Sequence, residues 1–173
     1  DFFALIPRML VKEGDKVSQG QPIFIDKNDD NIKIVSPVSG IVNQIVRGDK
    51  RKILTVVIKK DGDEKVKFEI PDLKKISSKE ILDLLSNSGS LSYIKQRPYN
   101  IIARINKIPK SIFVSAHSTA PYSADFEFIL NDRIDDLQFG VDVMSKIIAK
   151  PVNFSISSGK ESIFKNLNNI KIF

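Results

Sequence analysis

The side chains that most often carry out chemistry in proteins are scarce in this sequence. There is no cysteine, which excludes disulfides, thiolate metal sites, cysteine-bound iron–sulfur clusters and cysteine nucleophiles from these residues. His117 is the single histidine, so it cannot build an HExxH-type metal site by itself. Glycine-rich phosphate loops and GxSxG turns are also missing from the sequence. The residues alone therefore predict no catalytic side chain and no metal site.

The side chains best suited to binding lie in a short segment, Arg97-Pro98-Tyr99. A guanidinium next to an aromatic ring can stack on a planar headgroup or hold a neighbouring chain. The alternative is a plain turn whose Tyr99 packs on the core. His117 has two interpretations as well, a proton-transfer group or an ordinary hydrogen-bonded residue in a Ser/Thr/Pro loop.

The charge is spread along the chain. Residues 1–75 contain 15 basic and 12 acidic side chains, and residues 76–173 contain 12 and 9, which gives an excess of +3 in each part. This distribution favours a solvated or partner-facing surface over a nucleic-acid groove. No apolar run reaches the roughly 20 residues of a membrane-spanning helix. We therefore expect a soluble segment without a membrane span or nucleic-acid partner.

The elements that must position these residues change character along the chain. Up to about Phe68, β-branched runs alternate with Gly, Asp and Asn turns, which predicts strands and a small barrel or sandwich. The predicted strands are Pro22–Ile25, Ile32–Val35, Ile41–Val46 and Ile53–Ile58. This part is assigned to a β domain of residues 1–70.

From Ile76 onward the pattern predicts alternating helices and strands. A capping-box pattern at Ser77–Glu80 precedes a first helix that ends at Asn87 or Gly89. A second helix begins near Asp132 and ends before Pro151. A short helix is predicted around Ser162–Asn166, and strands at Ser111–Ala116, Val152–Ile156 and Ile170–Phe173, the first of them buried. Residues 71–173 are therefore assigned to an incomplete α/β domain with a partly parallel sheet.

Two segments, Val11–Ile23 and Ser36–Val42, resemble the biotinyl/lipoyl-like barrel-sandwich hybrid. Carrier domains of that fold attach their arm to a lysine at a hairpin tip, which corresponds here to Lys27. No methionine flanks this lysine. A lipoyl or biotinyl carrier and an unmodified turn lysine are both possible interpretations.

Further segments, read in order, extend the resemblance over nearly all of the chain. They are Arg47–Ile58, Ser88–Leu91, Arg97–Tyr99 and Ile112–Pro121. As an ordered set they resemble the A subunits of the sodium-translocating NADH:quinone reductases, and the chain looks like an internal fragment of such a protein. The resemblance implies a peripheral component of a respiratory complex that passes electrons from NADH to quinone and exports sodium.

That family in turn is similar to the NADH-binding flavoprotein of complex I, in which a glycine-rich loop and an acidic loop bind flavin. At the matching positions this chain keeps only Gly89, and its Ser115–Pro121 loop has no carboxylate. The resemblance therefore implies a cofactor-free segment that is not catalytic by itself, with flavins and iron–sulfur centres in other subunits. The alternative is a flavin- or nucleotide-binding dehydrogenase fragment.

The implied role is assembly together with a quinone-proximal surface. A quinone site needs an apolar slot and one or two hydrogen-bond donors for the carbonyl oxygens. The residues predicted to lie near quinone are Ile94, Arg97, Pro98, Tyr99 and His117. The resemblance implies the membrane-embedded B subunit of the complex as the main partner, and a location on the cytoplasmic face of the bacterial inner membrane.

Overall fold

The computed structural model of the chain describes residues 3–157 and 162–173. By its internal contacts the chain forms two compact units. The first contains residues 1–75 and 80–107, and the second contains residues 76–79 and 108–173. Residues 80–107 thus join the unit built by the first 75 residues. A domain boundary at residue 70 stays a prediction.

The first unit is built on two antiparallel three-stranded sheets, ordered β1-β3-β4 and β2-β5-β6. Its strands are β1 (Pro7–Met9), β2 (Lys16–Val17), β3 (Pro22–Asp26), β4 (Asp29–Val35), β5 (Gly40–Arg47) and β6 (Ile53–Lys60). Val17 and Val42 from one sheet and Ile23 from the other are all at most 5% exposed and form one cluster. The apolar core therefore lies between the sheets. The four strands predicted in this part are confirmed, and β1 and β2 are additional.

A helix and a small hairpin complete the first unit. They are α1 (Ser78–Asn87), a 3-10 turn at Ser90–Tyr93, β7 (Lys95–Gln96) and β8 (Ile101–Ile102). Ile32 of β4, Leu91 of the turn and Ile102 of β8 are each at most 3% exposed and pack together. The predicted first helix is confirmed, and its end is anchored to β4.

The second unit contains a three-stranded parallel sheet, ordered β11-β10-β9. Its elements are β9 (Phe113–Ser115), α2 (Phe126–Leu130), α3 (Ile134–Ile148), β10 (Val152–Ser155) and β11 (Ile170–Ile172). Val141 of α3 packs in one buried cluster with Val152 and Phe154 of β10 and with Phe164. The predicted parallel sheet and second helix are confirmed.

Two details differ from the sequence-based expectations. The predicted strand Ser111–Ala116 is shorter, and it is not buried throughout: Phe113 is 67% exposed, whereas Val114 packs on the core. Side chains alternate across a strand, so Phe113 lies on the opposite face of the sheet, where its ring meets that of Phe173 edge-on at 5.8 Å. The short helix near Ser162 is a 3-10 turn, Ile163–Asn166, with Ser162 as its N-cap.

Candidate functional site

The Arg97-Pro98-Tyr99 segment forms the tip of a hairpin. Strands β7 and β8 pair antiparallel, with Lys95 opposite Ile102. A backbone hydrogen bond of 2.8 Å from Ala103 N to Ile94 O extends the ladder toward the base of the hairpin. Residues 97–100 connect the strands and are all exposed, Tyr99 by 66%. The interpretation in which Tyr99 packs on the core is therefore wrong.

The hairpin is held at its base by apolar contacts. Ile94 is half-buried and packs against the cluster of Ile32, Leu91 and Ile102. Four of the five residues predicted to lie near quinone, Ile94, Arg97, Pro98 and Tyr99, thus belong to one hairpin whose base is buried and whose tip is free. Such a tip can present a guanidinium and a phenol to a ligand or a partner without disturbing the core.

His117, the fifth predicted residue, lies in the second unit, just after β9. Its Nδ1 is 3.4 Å from both the carbonyl oxygen and the hydroxyl of Ser155. The Ser115 hydroxyl donates to the His117 carbonyl oxygen at 3.0 Å. The ring is half-buried, and its surroundings are those of a hydrogen-bonded loop residue. The structure therefore gives His117 a local role and does not place it in the hairpin unit.

Lys27 lies in the two-residue turn between β3 and β4 and is exposed. The strands pair up to Asp26 and Asp29 on either side of it. Its amide is held by a hydrogen bond of 2.8 Å to the Ile6 carbonyl oxygen. This is the hairpin-tip position predicted from the sequence, and it leaves the Lys27 side chain accessible to solvent.

Gly89 allows the chain after α1 to turn closely against β4 in the first unit. It has a left-handed φ of 74° after the end of α1, and a β-carbon added there would lie 2.8 Å from Val35 Cγ1. Its bare backbone is thus pressed against β4. The Ser92 hydroxyl also donates to the Gly89 carbonyl oxygen at 2.7 Å. The one glycine that remains of the flavin-loop pattern is accounted for by packing.

A small cavity in the first unit was not anticipated from the sequence. It has a volume of about 50 Å³, well below the roughly 300 to 1,000 Å³ of most ligand pockets. Two polar side chains, Asp26 and Arg104, face it among apolar neighbours. The lining residues are Phe3, Ala4, Leu5, Asp26, Ile32, Ile101, Ile102 and Arg104.

The two polar groups of this cavity differ in how well they are satisfied. Asp26 is only 4% exposed, and its Oδ1 accepts hydrogen bonds from the amides of Ile6 and Asn28 at 3.3 and 3.1 Å. The buried Nε of Arg104 has no hydrogen-bond partner among the described residues. A buried donor without a partner costs free energy. The sequence carries no pattern that singles out Asp26 or Arg104.

Residues 3–157 and 162–173 contain neither a metal-binding cluster of side chains nor a membrane-spanning helix. No cluster of three or more His, Cys, Asp or Glu side chains there is arranged to hold a metal ion. No helix in that part of the chain has both the length and the apolar character needed to cross a membrane. The arrangement that remains is a hairpin with an exposed basic and aromatic tip, whose strand β8 also lines the cavity.

Comparison with known families matches both parts of the chain. A model of the NqrA N-terminal barrel-sandwich hybrid domain matches residues 1–61, and a model of the NqrA second alpha/beta domain matches residues 76–173. The first match agrees with the two facing sheets of the first unit.

Curated proteins give the same result. The chain is 36% identical over 92% of its length to the A subunit of the Na(+)-translocating NADH-quinone reductase of Marinomonas sp. (strain MWYL1), covering 36% of that protein. It is 35% identical over 85% of its length to the protein of the same name from Glaesserella parasuis serovar 5 (strain SH0165), covering 34%. Over 99% of the chain it is 32% identical to the Neisseria gonorrhoeae (strain NCCP11945) protein, covering 39%. The chain thus spans a little over a third of the length of these relatives.

Proposed function

This chain belongs to the NqrA family, the A subunits of the Na(+)-translocating NADH-quinone reductases, and on that premise we propose that it works as a peripheral, cofactor-free component of a sodium-pumping NADH:quinone oxidoreductase. Its contribution is assembly and a quinone-proximal surface. The redox chemistry takes place on flavins and iron–sulfur centres held by other subunits.

The observation that carries the quinone-proximal part is the exposed tip of the β7–β8 hairpin. Arg97 and Tyr99 are exposed there, while Ile94 is packed at the base. A guanidinium and a phenol can both donate hydrogen bonds to a carbonyl oxygen, and an exposed aromatic ring offers a face for a planar headgroup. The tip thus supplies the hydrogen-bond donors of a quinone site, and the apolar contacts would have to come from a neighbouring surface in the complex.

The cavity beside β8 decides whether quinone could be enclosed by the first unit. Its volume of about 50 Å³ is far below the roughly 300 to 1,000 Å³ of most ligand pockets, so it is too small to enclose a quinone ring. We therefore propose a surface that a quinone touches in passing, and not an enclosed quinone pocket.

The cofactor-free character of the chain has its own physical support. We propose a fold relationship to the NADH-binding flavoprotein of complex I, whose flavin site needs bare backbone close to the ligand. Here Gly89 is pressed against Val35, and the Ser115 hydroxyl is bonded within its own loop. Full-length protein prepared in the presence of excess flavin should stay colourless after gel filtration. A flavin spectrum retained in stoichiometric amount would favour the dehydrogenase alternative.

We place the protein on the cytoplasmic face of the bacterial inner membrane and propose the membrane-embedded B subunit of the complex as its main partner. The β5–β6 turn supplies a basic surface for this docking. Arg47, Lys50, Arg51 and Lys52 lie within six residues and are all exposed, against one carboxylate, Asp49. Basic side chains near an anionic membrane surface gain about 1 kcal/mol each.

Photo-crosslinking in the assembled complex tests the quinone-proximal surface. A quinone analogue with a photoreactive group should label peptides that contain residues 94–99, and excess quinone should suppress the label. Tyr122 in the second unit, a fully exposed tyrosine, is the matched control and should stay unlabelled. If quinone-suppressible labels are confined to other subunits, the quinone-proximal part of the proposal is wrong and the assembly part is untouched.

A further inference from the structure

The β5–β6 turn, residues 47–52, lies beyond the core of the first unit. Strand pairing places Ile45 opposite Val56, and these are the residues nearest the turn that pack against the buried cluster between the sheets. The end of the hairpin is closed by a backbone hydrogen bond of 2.8 Å from Gly48 N to Lys52 O. The turn is therefore an ordered projection that the core does not need for its own packing.

The charges of the β5–β6 turn have no counterpart inside the protein. Arg47, Lys50, Arg51 and Lys52 are exposed, and Asp49 is the one acidic residue among them, so the turn carries an excess of +3. No carboxylate of residues 3–157 or 162–173 forms an ion pair with any of the four cations. Arg47 Nη1 donates at 3.3 Å to the carbonyl oxygen of Arg51, which holds the cations close together. The turn thus presents a compact cationic surface to whatever lies outside the unit.

The backbone of the turn is strained at two of these cations. Lys50 has a φ of 53° and Arg51 a φ of 63°, and Lys52 N donates to Asp49 O at 3.1 Å, so both are central residues of a tight turn. Turns with two left-handed central residues favour Asn-Gly, because most side chains are strained there. Lys and Arg at both positions therefore lower the stability of the turn. A binding role for the two charges accounts for their presence at these positions.

An apolar side chain lies beside the cations. Leu54 is 58% exposed, and a β-carbon added at Gly48 would lie 3.0 Å from its Cδ1, so the leucine packs on the bare backbone of the turn. Basic side chains around an exposed leucine suit the boundary between lipid headgroups and acyl chains. Lysine is depleted in protein–protein interfaces, whereas two of the four cations here are lysines. The combination favours a lipid surface over an acidic protein surface.

We propose that the β5–β6 turn binds the anionic phospholipid headgroups of the membrane directly. This inference rests on the proposed location of the protein at the membrane and adds an attachment that does not pass through the B subunit. Arg47 and Arg51 can donate paired hydrogen bonds to phosphate oxygens, and Lys50 and Lys52 add charge. Leu54 reaches the apolar layer below the headgroups. Each basic side chain near an anionic surface strengthens binding by roughly fivefold.

Co-sedimentation of the isolated full-length subunit with vesicles tests this assignment. At low ionic strength the subunit should bind vesicles of equal parts phosphatidylglycerol and phosphatidylcholine, and should not bind vesicles of phosphatidylcholine alone. The double variant Lys50→Asn/Arg51→Gly removes two cations and should weaken binding about 25-fold. Because Asn-Gly suits a left-handed turn, the same variant should be more stable to denaturant than the unaltered protein. A loss of binding together with a gain in stability cannot come from misfolding.

A second double variant is the matched control. Lys74→Gln/Lys75→Gln removes the same charge from a pair of adjacent, exposed lysines in the same unit and should leave vesicle binding unchanged. Equal weakening by both double variants would mean that binding follows the net charge and not the turn, which overturns the proposal.

Two other results also overturn it. One is an unaltered subunit that does not prefer anionic vesicles. The other is a Lys50→Asn/Arg51→Gly variant that binds vesicles normally but no longer joins the complex, which would assign the turn to an acidic partner protein. Quinone labelling of residues 94–99 concerns a different hairpin. A failure of lipid binding would therefore leave the quinone-proximal surface standing, and a failure of the labelling would leave the lipid contact standing.

Discussion

The hydroxyl of Ser86, near the end of α1, donates a hydrogen bond of 2.6 Å to the carbonyl oxygen of Asn31 in β4. Ser86 is only 3% exposed, so water cannot easily replace it. Removing one partner of a buried hydrogen bond leaves the other unsatisfied, at a cost of about 1 to 3 kcal/mol. We expect Ser86→Ala to lower the free energy of unfolding by that amount, measured by denaturant titration. Ser123→Ala, at an exposed serine with one long hydrogen bond of 3.5 Å, should change it little. Equal stabilities of the two variants would contradict the assigned role of Ser86.

Gly89 gives a second stability prediction. A side chain at a left-handed φ costs about 1 to 3 kcal/mol, and at Gly89 the added β-carbon would also meet Val35 at 2.8 Å. We expect Gly89→Ala to destabilise the protein by about 2 kcal/mol or more, measured by the same titration. Gly14→Ala is the matched control, because Gly14 has a φ of 90° with nothing within 4 Å of the added carbon. It should show the backbone cost alone, and a Gly14 variant as unstable as the Gly89 variant would rule out the Val35 contact as a cause.

The hairpin tip yields a functional prediction that rests on the proposed function. Arg97→Ala removes a charged donor, and a hydrogen bond to a charged group contributes about 1.5 kcal/mol or more, equivalent to roughly tenfold in affinity. In the assembled complex the KM for quinone should therefore rise about tenfold, with kcat nearly unchanged. Tyr99→Phe should raise KM by a smaller factor. Tyr93→Phe, at a neighbouring tyrosine that is 86% exposed, should have no effect. An unchanged KM in the Arg97 variant would remove the guanidinium from the quinone surface.

Lys27 tests the carrier alternative. Its side chain is exposed at a two-residue hairpin tip, the geometry that carrier domains use, so accessibility alone does not decide the question. We expect the intact mass of the full-length protein from its native host to equal the mass of the unmodified chain, and Lys27→Arg to leave the activity of the complex unchanged. An added lipoyl or biotinyl mass that disappears in the Lys27 variant would establish the carrier interpretation instead.

The Lys16–Glu64 ion pair predicts a pH dependence. Its Nζ and Oε1 are 2.9 Å apart. The hydrogen bond from Lys16, followed by smaller backbone and Coulomb effects, lowers the pKa of Glu64 from its usual 4.5, and the same hydrogen bond raises the pKa of Lys16 from 10.5. The stability from Glu64 is therefore lost as pH falls through its folded pKa, and that from Lys16 as pH rises through its folded pKa. Both side chains are more than half exposed, so the effect is small and screened by salt.

An NMR titration of the Glu64 carboxyl carbon measures this pair directly. In the Lys16→Met variant the pKa of Glu64 should move up toward 4.5, because its main hydrogen-bond donor is gone. The matched control is Lys60→Met, which removes a lysine that pairs with Asp63 at 3.5 Å and should leave the pKa of Glu64 where it is in the unaltered protein. A Glu64 titration that does not respond to the Lys16→Met variant would show that the pair does not persist in solution.

Sequence patterns predicted the long elements well, because alternation and helical periodicity extend over many residues in them. The β5–β6 hairpin and the buried face of α3 follow directly from such periodicity. The strands β1, β2, β7 and β8 are only two or three residues long, too short to carry a period, and tertiary pairing decides them. The exposed tip at Tyr99 depends on a pairing of this kind, which explains why the sequence left open whether Tyr99 packs on the core.

The cavity could not be predicted for a different reason. Leu5, Asp26 and Arg104 are far apart in the chain, and no local pattern indicates that they share one space. The burial of Asp26 depends on amides of Ile6 and Asn28, and backbone donors leave no trace in side-chain composition. Long-range packing of this kind becomes visible only once the strands are paired.

Helix α1 packs against β4, the edge strand of its sheet, and this contact affects where the protein can be truncated. A truncation after residue 70 would delete Ser86, Gly89 and the hairpin, and would leave β4 without the helix that shields it. Such a piece would be expected to precipitate, even though it contains all of the strands β1 to β6. A piece that ends after residue 107 retains α1 and the hairpin, so the first unit extends well past strand β6.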